Sequence, residues 1–457
     1  MAANLIEVLE KTAKTIDKGQ ADEYEIFGIS STETEIEVFN GNIESLSFSD
    51  SSGIGVRVIK GGAAGYAFTS FLDDNQIREC IDKAVSNAQA TGSEEQNRLP
   101  RHDEYLYQQK VMDTALIHSQ DFKNYSTEDK AEAAKELEAI TLEKDNRITG
   151  ISESSYGDSD MTVALVNSNG FRDSYRKNSC HMFVNAISKQ GEDTSTGYYF
   201  GFGRHLGQID LENIAENAAK RSVSVLGAKK IRSKKMDILL DPFVGAQFLG
   251  VVAGALTADS IQKGKSIFAG MLGKKLFSVD LDIFDDGVMP DGLASGPFDG
   301  EGVYKGKTPV FKEGVLHTYL YDTYTARKDD ALSTGNAVRF SYRSSPSVGI
   351  NNFYISPGKR DLGSLLSEID QGLFVMDIIG LHSGANAITG HISVGAKGIC
   401  IENGQLTYPA KEITIATDFL SFMKSITGLG DVLRFFPSNG FIGSPALLVR
   451  DIMVSGT

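Results

Sequence analysis

The chain has 457 residues, 41 % of them hydrophobic and 23 % charged, a globular balance too long for one compact core and unlike that of a disordered protein. Its formal charge of −15 repels phosphate backbones and anionic lipid headgroups, which argues against nucleic-acid and membrane binding and favours a cationic or peptide partner. The three cysteines, Cys80, Cys180 and Cys400, stand far apart with no C-x-x-C pair, as in a reducing compartment.

The first residues turn straight into charged amphipathic sequence, without the basic region and apolar run of a secretory signal, so the expected location is the cytoplasm. Leu5, Ile6, Leu9, Ala13 and Ile16 recur at helical spacing, as do Ile77, Cys80, Ile81, Ala84, Val85 and Ala88. Between these helices, residues 35–66 read as strands, with turns at Asn40-Gly41 and Gly61-Gly62. Residues 91–101 are polar and aperiodic and form a linker. Ser126 then opens a helix to about Leu142, strands at 162–166 and 183–187 surround an Asn169-Gly170 turn, and Asp210 caps a helix bearing Leu211, Ile214, Ala215 and Ala218. The second unit resembles the first in element order, a loose structural echo rather than an established repeat. Lys229, Lys230, Arg232, Lys234 and Lys235 read as a solvated connection rather than a nucleic-acid patch. Residues 243–256 are nearly apolar but shorter than the roughly 20 residues that cross a bilayer, and read as a buried helix. From Met236 onward the pattern is otherwise strand-rich, with turns at Glu313-Gly314, Asn403-Gly404 and Asn439-Gly440. The expected architecture is α+β. An N-terminal helix and antiparallel-sheet domain spans 1–100, a middle α+β domain 101–228, and a larger C-terminal domain rich in antiparallel strands 229–457.

Helical zinc hydrolases place two histidines one turn apart with a glutamate beside one of them, so that both imidazoles share a face and the carboxylate activates metal-bound water. The seven histidines here are His102, His118, His181, His205, His317, His382 and His391, and no two are three to five residues apart. His382 and His391 flank a Gly/Ala-rich stretch that includes Asn386 and Thr389. These four residues form the candidate substrate-binding set, since no third ligand is evident for a metal. Gly264-Lys265-Ser266 and Gly306-Lys307-Thr308 imitate phosphate loops, but Asp259 and Glu301 stand where the first glycine belongs. Gly53-Ile-Gly-Val-Arg-Val lacks the third glycine of a dinucleotide fingerprint. Ser260 with Lys263 and Ser421 with Lys424 have the spacing of a serine hydrolase without its companion motifs. Asp285-Asp286 and Asp299-Gly-Glu301 offer carboxylates for acid-base work or a hard cation, although their neighbouring glycines favour ordinary turns.

Several longer strings, in order along the chain, carry a family likeness. They include Gly53-Ile-Gly-Val-Arg, Lys263-Gly-Lys-Ser-Ile-Phe-Ala-Gly, Phe298-Asp-Gly-Glu-Gly-Val, Tyr324-Thr-Ala-Arg-Lys, Ala387-Ile-Thr-Gly-His-Ile-Ser-Val-Gly-Ala and Glu412-Ile-Thr-Ile-Ala. With them the chain resembles the TldD/PmbA family of metallopeptidases, once called modulators of DNA gyrase, and within it the PmbA (TldE) type. The TldD branch binds zinc through a His-Glu-x-x-x-His helix and a later cysteine. Counted back from Lys263-Gly264, those positions match Leu249, Gly250 and Gly254, and residues 437–445 contain no cysteine. The resemblance therefore implies a non-catalytic subunit, a pseudoenzyme without catalytic residues, metal ligands or cofactor, zinc being expected only in a TldD-like partner. In a heterodimer with that partner it would help bind and enclose unfolded peptide substrates for proteolysis. The alternative is a stand-alone homodimeric peptide-binding or regulatory protein without peptidase activity. A third reading is a hydrolase whose ligands converge from distant segments, with His382 and His391 among them.

Overall fold

The computed structural model describes residues 5–101, 112–438 and 440–456; His102 and Asn439 lie outside them. Helix α1 (Leu5–Thr15) buries the apolar face read from its spacing, through Leu5, Ile6 and Leu9. Strands β1 (Glu23–Phe39), β2 (Asn42–Lys60) and β3 (Ala63–Thr69) follow, then α2 (Asp74–Ala90), whose free N–H groups at Asn75 and Gln76 donate to the Asp73 carboxylate. Strand β1 begins at Glu23 rather than near residue 35. Its first half is buried on both faces, Ile26 under the helices and Phe27 and Ile29 toward the C-terminal region, so the polar alternation that marks a half-exposed strand is missing there.

The second unit runs α3 (Thr127–Glu143), β4 (Ile148–Asn167), β5 (Arg172–Gln190), β6 (Asp193–Gly203) and α4 (Leu211–Val223). Ser126 and Asp129 form a capping box at α3, and Asp210 caps α4 by accepting from the Asn213 N–H. All six strands join in one antiparallel sheet, ordered β3-β2-β1-β4-β5-β6. The centre of that sheet is the β1–β4 ladder, which runs from Glu25 opposite Asn167 to Val38 opposite Ser154. Two helix-strand-strand-strand-helix units are thereby fused edge to edge. Two equivalent glycines let the closing helices settle on the sheet. A Cβ at Gly65 would stand 2.1 Å from the Ala84 carbonyl oxygen of α2, and one at Gly197 would stand 2.1 Å from the Ser222 nitrogen of α4.

The C-terminal region holds β7 (Lys234–Leu240), α5 (Pro242–Ala255), β8 (Ile283–Asp286), β9 (Lys307–Lys312), β10 (Val315–Leu316), β11 (Ala337–Val338), β12 (Ser347–Val348) and β13 (Asn352–Ile355). After these come β14 (Gln371–Ile379), β15 (His391–Glu402), β16 (Gln405–Asp418), β17 (Ile426–Leu429), β18 (Arg434–Ser438), β19 (Gly440–Ser444) and β20 (Leu447–Ser455). One sheet is ordered β10-β9-β8-β13-β19-β18. Another is ordered β16-β15-β14-β7-β20-β17, and β16 also pairs with β20, so this sheet closes on itself. Side chains of both sheets meet in a single core around α5, with Ile238, Val244, Phe248, Ile283, Phe353 and Val375 among its members. The turn signals at Asn40-Gly41, Glu313-Gly314 and Asn403-Gly404 all form with positive φ at both residues, as two-residue hairpins require. Lys229, Lys230, Arg232, Lys234 and Lys235 are exposed, and Lys230 and Lys235 pair with Glu412 and Asp451. Among the described residues no helix is long and apolar enough to cross a membrane.

Gly65→Ala or Gly197→Ala is expected to lower the unfolding free energy by about 1–3 kcal/mol, since the helix must lift from the sheet. Gly150→Ala, where a Cβ meets nothing within 4 Å, should leave the urea midpoint almost unchanged.

Candidate functional site

Helix α5 starts at Asp241, whose carboxylate accepts from the Phe243 N–H at 3.0 Å and pairs with Arg221 of α4 at 2.6 Å. Pro242 at the first helical position needs no N–H partner, so the start of the helix is set firmly. One side of α5 faces a cleft of about 700 Å³. The other walls are the end of β14, with Ile378, the segment after it, with Leu381 and His382, and the β18–β19 hairpin, with Phe436, Ser438 and Ile442. Aromatic rings set the wall in place. Phe436 lies 4.9 Å from Phe243 and 5.6 Å from Phe200 of β6, so the edge of the N-terminal sheet supports the cleft from outside.

Leu249, Gly250 and Gly254, the positions expected from the resemblance to correspond to the TldD zinc motif, sit on this helix. Leu249 is buried in the core. Gly250 lines the cleft, and a Cβ there would come 3.1 Å from Ile442 Cδ1. Gly254 is exposed, with nothing within 4 Å of its added carbon. None offers a nitrogen, oxygen or sulfur side-chain donor, so these residues do not fit a zinc ion. Among the described residues no three His, Cys, Asp or Glu side chains gather as a metal set. The cysteines are all buried and free, and burial pushes the thiols of Cys80 and Cys180 up to about 11 and about 12, which keeps them protonated.

His382, Asn386 and Thr389 fall in the connection between β14 and β15, and His391 is the first residue of β15. Gly380, at φ +78°, turns the chain out of β14 and presents His382, exposed, at the cleft wall. The Asn386 carboxamide oxygen accepts from the N–H groups of Ile388 and Thr389, and the Thr389 hydroxyl accepts from the His391 N–H at 3.4 Å. Asn386 and Thr389 therefore shape the turn, while His391 opens β15 opposite Asp418 and does not line the cleft.

The acidic pairs stand at turns, as their glycines indicate, with the Gly302 N–H donating to the Asp299 carbonyl at 3.2 Å and the Val288 N–H to the Asp286 carboxylate at 3.1 Å, but they are buried and belong to a hub. Arg57 of β2 donates to Glu25 of β1 at 3.1 Å and to Glu301 of the C-terminal region at 3.0 Å. Arg339 pairs with the second oxygen of Glu25 and donates to the Gly300 carbonyl at 2.8 Å. The other Glu301 oxygen accepts from the Thr323 N–H at 2.9 Å. Asp299 accepts from the N–H groups of Glu301, Val303 and Ala337, and Asp285 accepts from the Asn336 and Asn351 side chains and the Asn351 N–H. Burial, with Glu301 adjacent, raises Asp299 to about 7; burial acts on Glu301 in the same sense, but Arg57 and the hydrogen bonds from Thr323 together outweigh it and hold Glu301 below the usual range. The glycines beside these acids indicate the turns, but nothing local in the sequence reveals Arg57, 244 residues from Glu301, or the Asn336 and Asn351 side chains, 51 and 66 residues from Asp285.

Beside the hub lies a second cavity of about 420 Å³, between the N-terminal sheet and the C-terminal region. Lys177 and Lys305 line it, and neither carried a signal in the sequence, where an isolated lysine reads as surface.

Models of the PmbA/TldA metallopeptidase family match the chain in three consecutive parts: domain 1 over residues 24–88, the central domain over 120–226 and the C-terminal domain over 233–456. The chain is 26 % identical to the metalloprotease PmbA of Escherichia coli O157:H7, covering 99 % of this chain and 96 % of that protein. It is 27 % identical to a metalloprotease PmbA homolog of Haemophilus influenzae, covering 91 % and 88 %. A solved structure from Thermotoga maritima, described as a candidate modulator of a DNA gyrase, matches with a TM-score of 0.88 at 26 % identity, covering 98 % of this chain and 99 % of that one. TldE from Thermococcus kodakarensis matches with a TM-score of 0.87 at 22 % identity over 98 % and 99 %, a likeness of fold.

Removing one member of the hub leaves a buried charge without compensation. Arg57→Met is expected to cost about 3–5 kcal/mol, measured by urea denaturation, whereas the exposed pair mutant Lys235→Met should cost under about 1 kcal/mol.

Proposed function

This chain belongs to the PmbA/TldD metallopeptidase family, and from that premise we propose that it is a non-catalytic subunit of a TldD-type zinc peptidase, helping to bind and enclose unfolded peptides for proteolysis. The observation that carries this reading is the composition of α5, where Leu249, Gly250 and Gly254 occupy the positions of the relative's ligands and base. Zinc-assisted amide hydrolysis needs imidazole or thiolate ligands and a carboxylate to handle the proton of bound water. Carbon and hydrogen alone supply neither, so the metal and the bond-breaking belong to the partner.

What this chain contributes is the cleft. With no side chain at Gly250, a ligand approaches the α5 backbone between Phe243, Phe436 and Ile442, and Gln247, Ser438 and His382 supply polar contacts for peptide groups. A wall of apolar side chains with a few hydrogen-bonding groups suits an extended peptide held by its main chain, which tolerates many sequences. His382 faces that peptide, Asn386 and Thr389 hold the loop that presents it, and His391 fixes the start of β15. A net charge of −15 favours basic peptides.

The test is direct. The purified chain should hold no stoichiometric zinc and leave a denatured peptide intact, and mixing with a TldD-type chain should give a one-to-one complex that cleaves the peptide in a chelator-sensitive way. One tightly bound metal in the lone chain, with proteolysis lost in His391→Ala, would overturn the reading; stable homodimers indifferent to the TldD-type chain would favour the stand-alone binding protein instead. Gly250→Phe is expected to weaken peptide binding by at least about tenfold, about 1.4 kcal/mol, with an unchanged circular dichroism spectrum.

A further inference from the structure

The second cavity adjoins the α5 cleft, since Pro437 and Ser438 line both. Its cations differ in standing from those of the hub. Arg339 is committed to Glu25 and the Gly300 carbonyl. Lys305, buried at 8 % exposure, makes a single long contact of 3.4 Å from its ammonium to the Ala294 carbonyl. Lys177, half-buried on β5, forms no hydrogen bond or ion pair with any described residue. An ammonium carries three N–H donors, so most of the six donors on these two lysines are unfilled. Asp299 and Asp285 attract Lys305 through space, but neither accepts a hydrogen bond from it: Asp299 accepts from the N–H groups of Glu301, Val303 and Ala337, and Asp285 from three donors of Asn336 and Asn351.

We propose that the Lys177–Lys305 cavity is an anion site that takes the C-terminal carboxylate of an extended peptide, an inference that rests on the peptide-enclosing role proposed above. A singly charged carboxylate matches two ammonium groups in a pocket already edged by Asp299 and Asp285, whereas a dianionic phosphate would be repelled by both acids. The apolar part of the lining, with Phe27, Ile29, Val163 and Phe298, suits an aliphatic side chain on the last residue. Pro437 and Ser438, shared by the two linings, are where the peptide would pass from one to the other. Burial and the neighbouring Lys305 and Arg204 charges lower Lys177 to about 8, so its ammonium is present at neutral pH and the anion is held less well as pH rises through that value.

The experiment uses the full chain and an N-terminally fluorescein-labelled, unstructured peptide ending in leucine, prepared as the free acid and as the C-terminal amide. Anisotropy titrations should give the acid an advantage on the order of tenfold at pH 7, shrinking by pH 9. Lys177→Gln should bring the acid down to the affinity of the amide, and Lys177→Arg should keep much of the difference. Propionate should compete with the acid and inorganic phosphate should not. Equal affinity of acid and amide would overturn this carboxylate site and leave the peptide-enclosing role standing. No binding of either peptide, with lysine-dependent binding of propionate or phosphate, would overturn both and reduce the cavity to a small-anion site.

Discussion

The carboxylate of Glu25, fully buried, holds two arginines that come from different parts of the chain, Arg57 beside it in the N-terminal sheet and Arg339 from the C-terminal region. Charges taken out of water are tolerated only when every one of them finds its counterpart, so this arrangement permits one relative placement of the two regions. Arg57 extends the constraint to Glu301, and Tyr66 adds a hydrogen bond to the Tyr342 carbonyl at 2.6 Å. With the regions fixed this way, Phe200 and Phe202 of β6 meet Phe436 and Phe441, and the spaces left on either side of the β18–β19 hairpin are the two cavities. The apolar face of the sheet completes the contact through Phe27, Leu165, Phe298 and Tyr342. Hydrophobic burial supplies the adhesion there, and the ion network supplies the register.

Much of the fold was legible because its signals are local. Ser126, Asp210 and the Asn-Gly or Glu-Gly turns act within four residues, and the structure places helices and hairpins where they indicate. The α+β class and the family likeness follow from such strings. The fused sheet was not legible, since the β1–β4 ladder joins residues more than a hundred positions apart and nothing in either strand names its partner. Strand lengths were underestimated for a related reason. On β5 burial alternates residue by residue over most of its length, yet the alternating residues are often polar, so only the apolar centre stood out.

The candidate site was legible in its helix and poorly so in its contents. The apolar run around Leu249, Gly250 and Gly254 read as a buried helix because its length and composition are local, and the structure puts these residues on a helix whose Gly250 lines a cleft. Of the four residues expected to contact substrate, His382 reaches that cleft, while the carboxamide oxygen of Asn386 and the hydroxyl oxygen of Thr389 accept from the backbone of their own loop. Sequence shows which side chains own a hydrogen-bonding group; it does not show whether the loop consumes it. The buried acids Asp285, Asp299 and Glu301 show the converse, with a glycine-rich setting that looks solvated until distant donors arrive.

The closure of the C-terminal sheet by β16 and β20 carries a consequence for how this chain acquires its shape. Strand β7 is synthesised early, yet its two neighbours, β14 and β20, arrive only with residues 371–379 and 447–455. During translation β7 therefore waits with both edges unsatisfied, a template for any stray extended segment. Pairing over such separations is slow, since a long loop must close before any contact rewards it. The same ring that leaves the finished domain without an open flank at this point makes its nascent form dependent on protection from association until the last strand is in place.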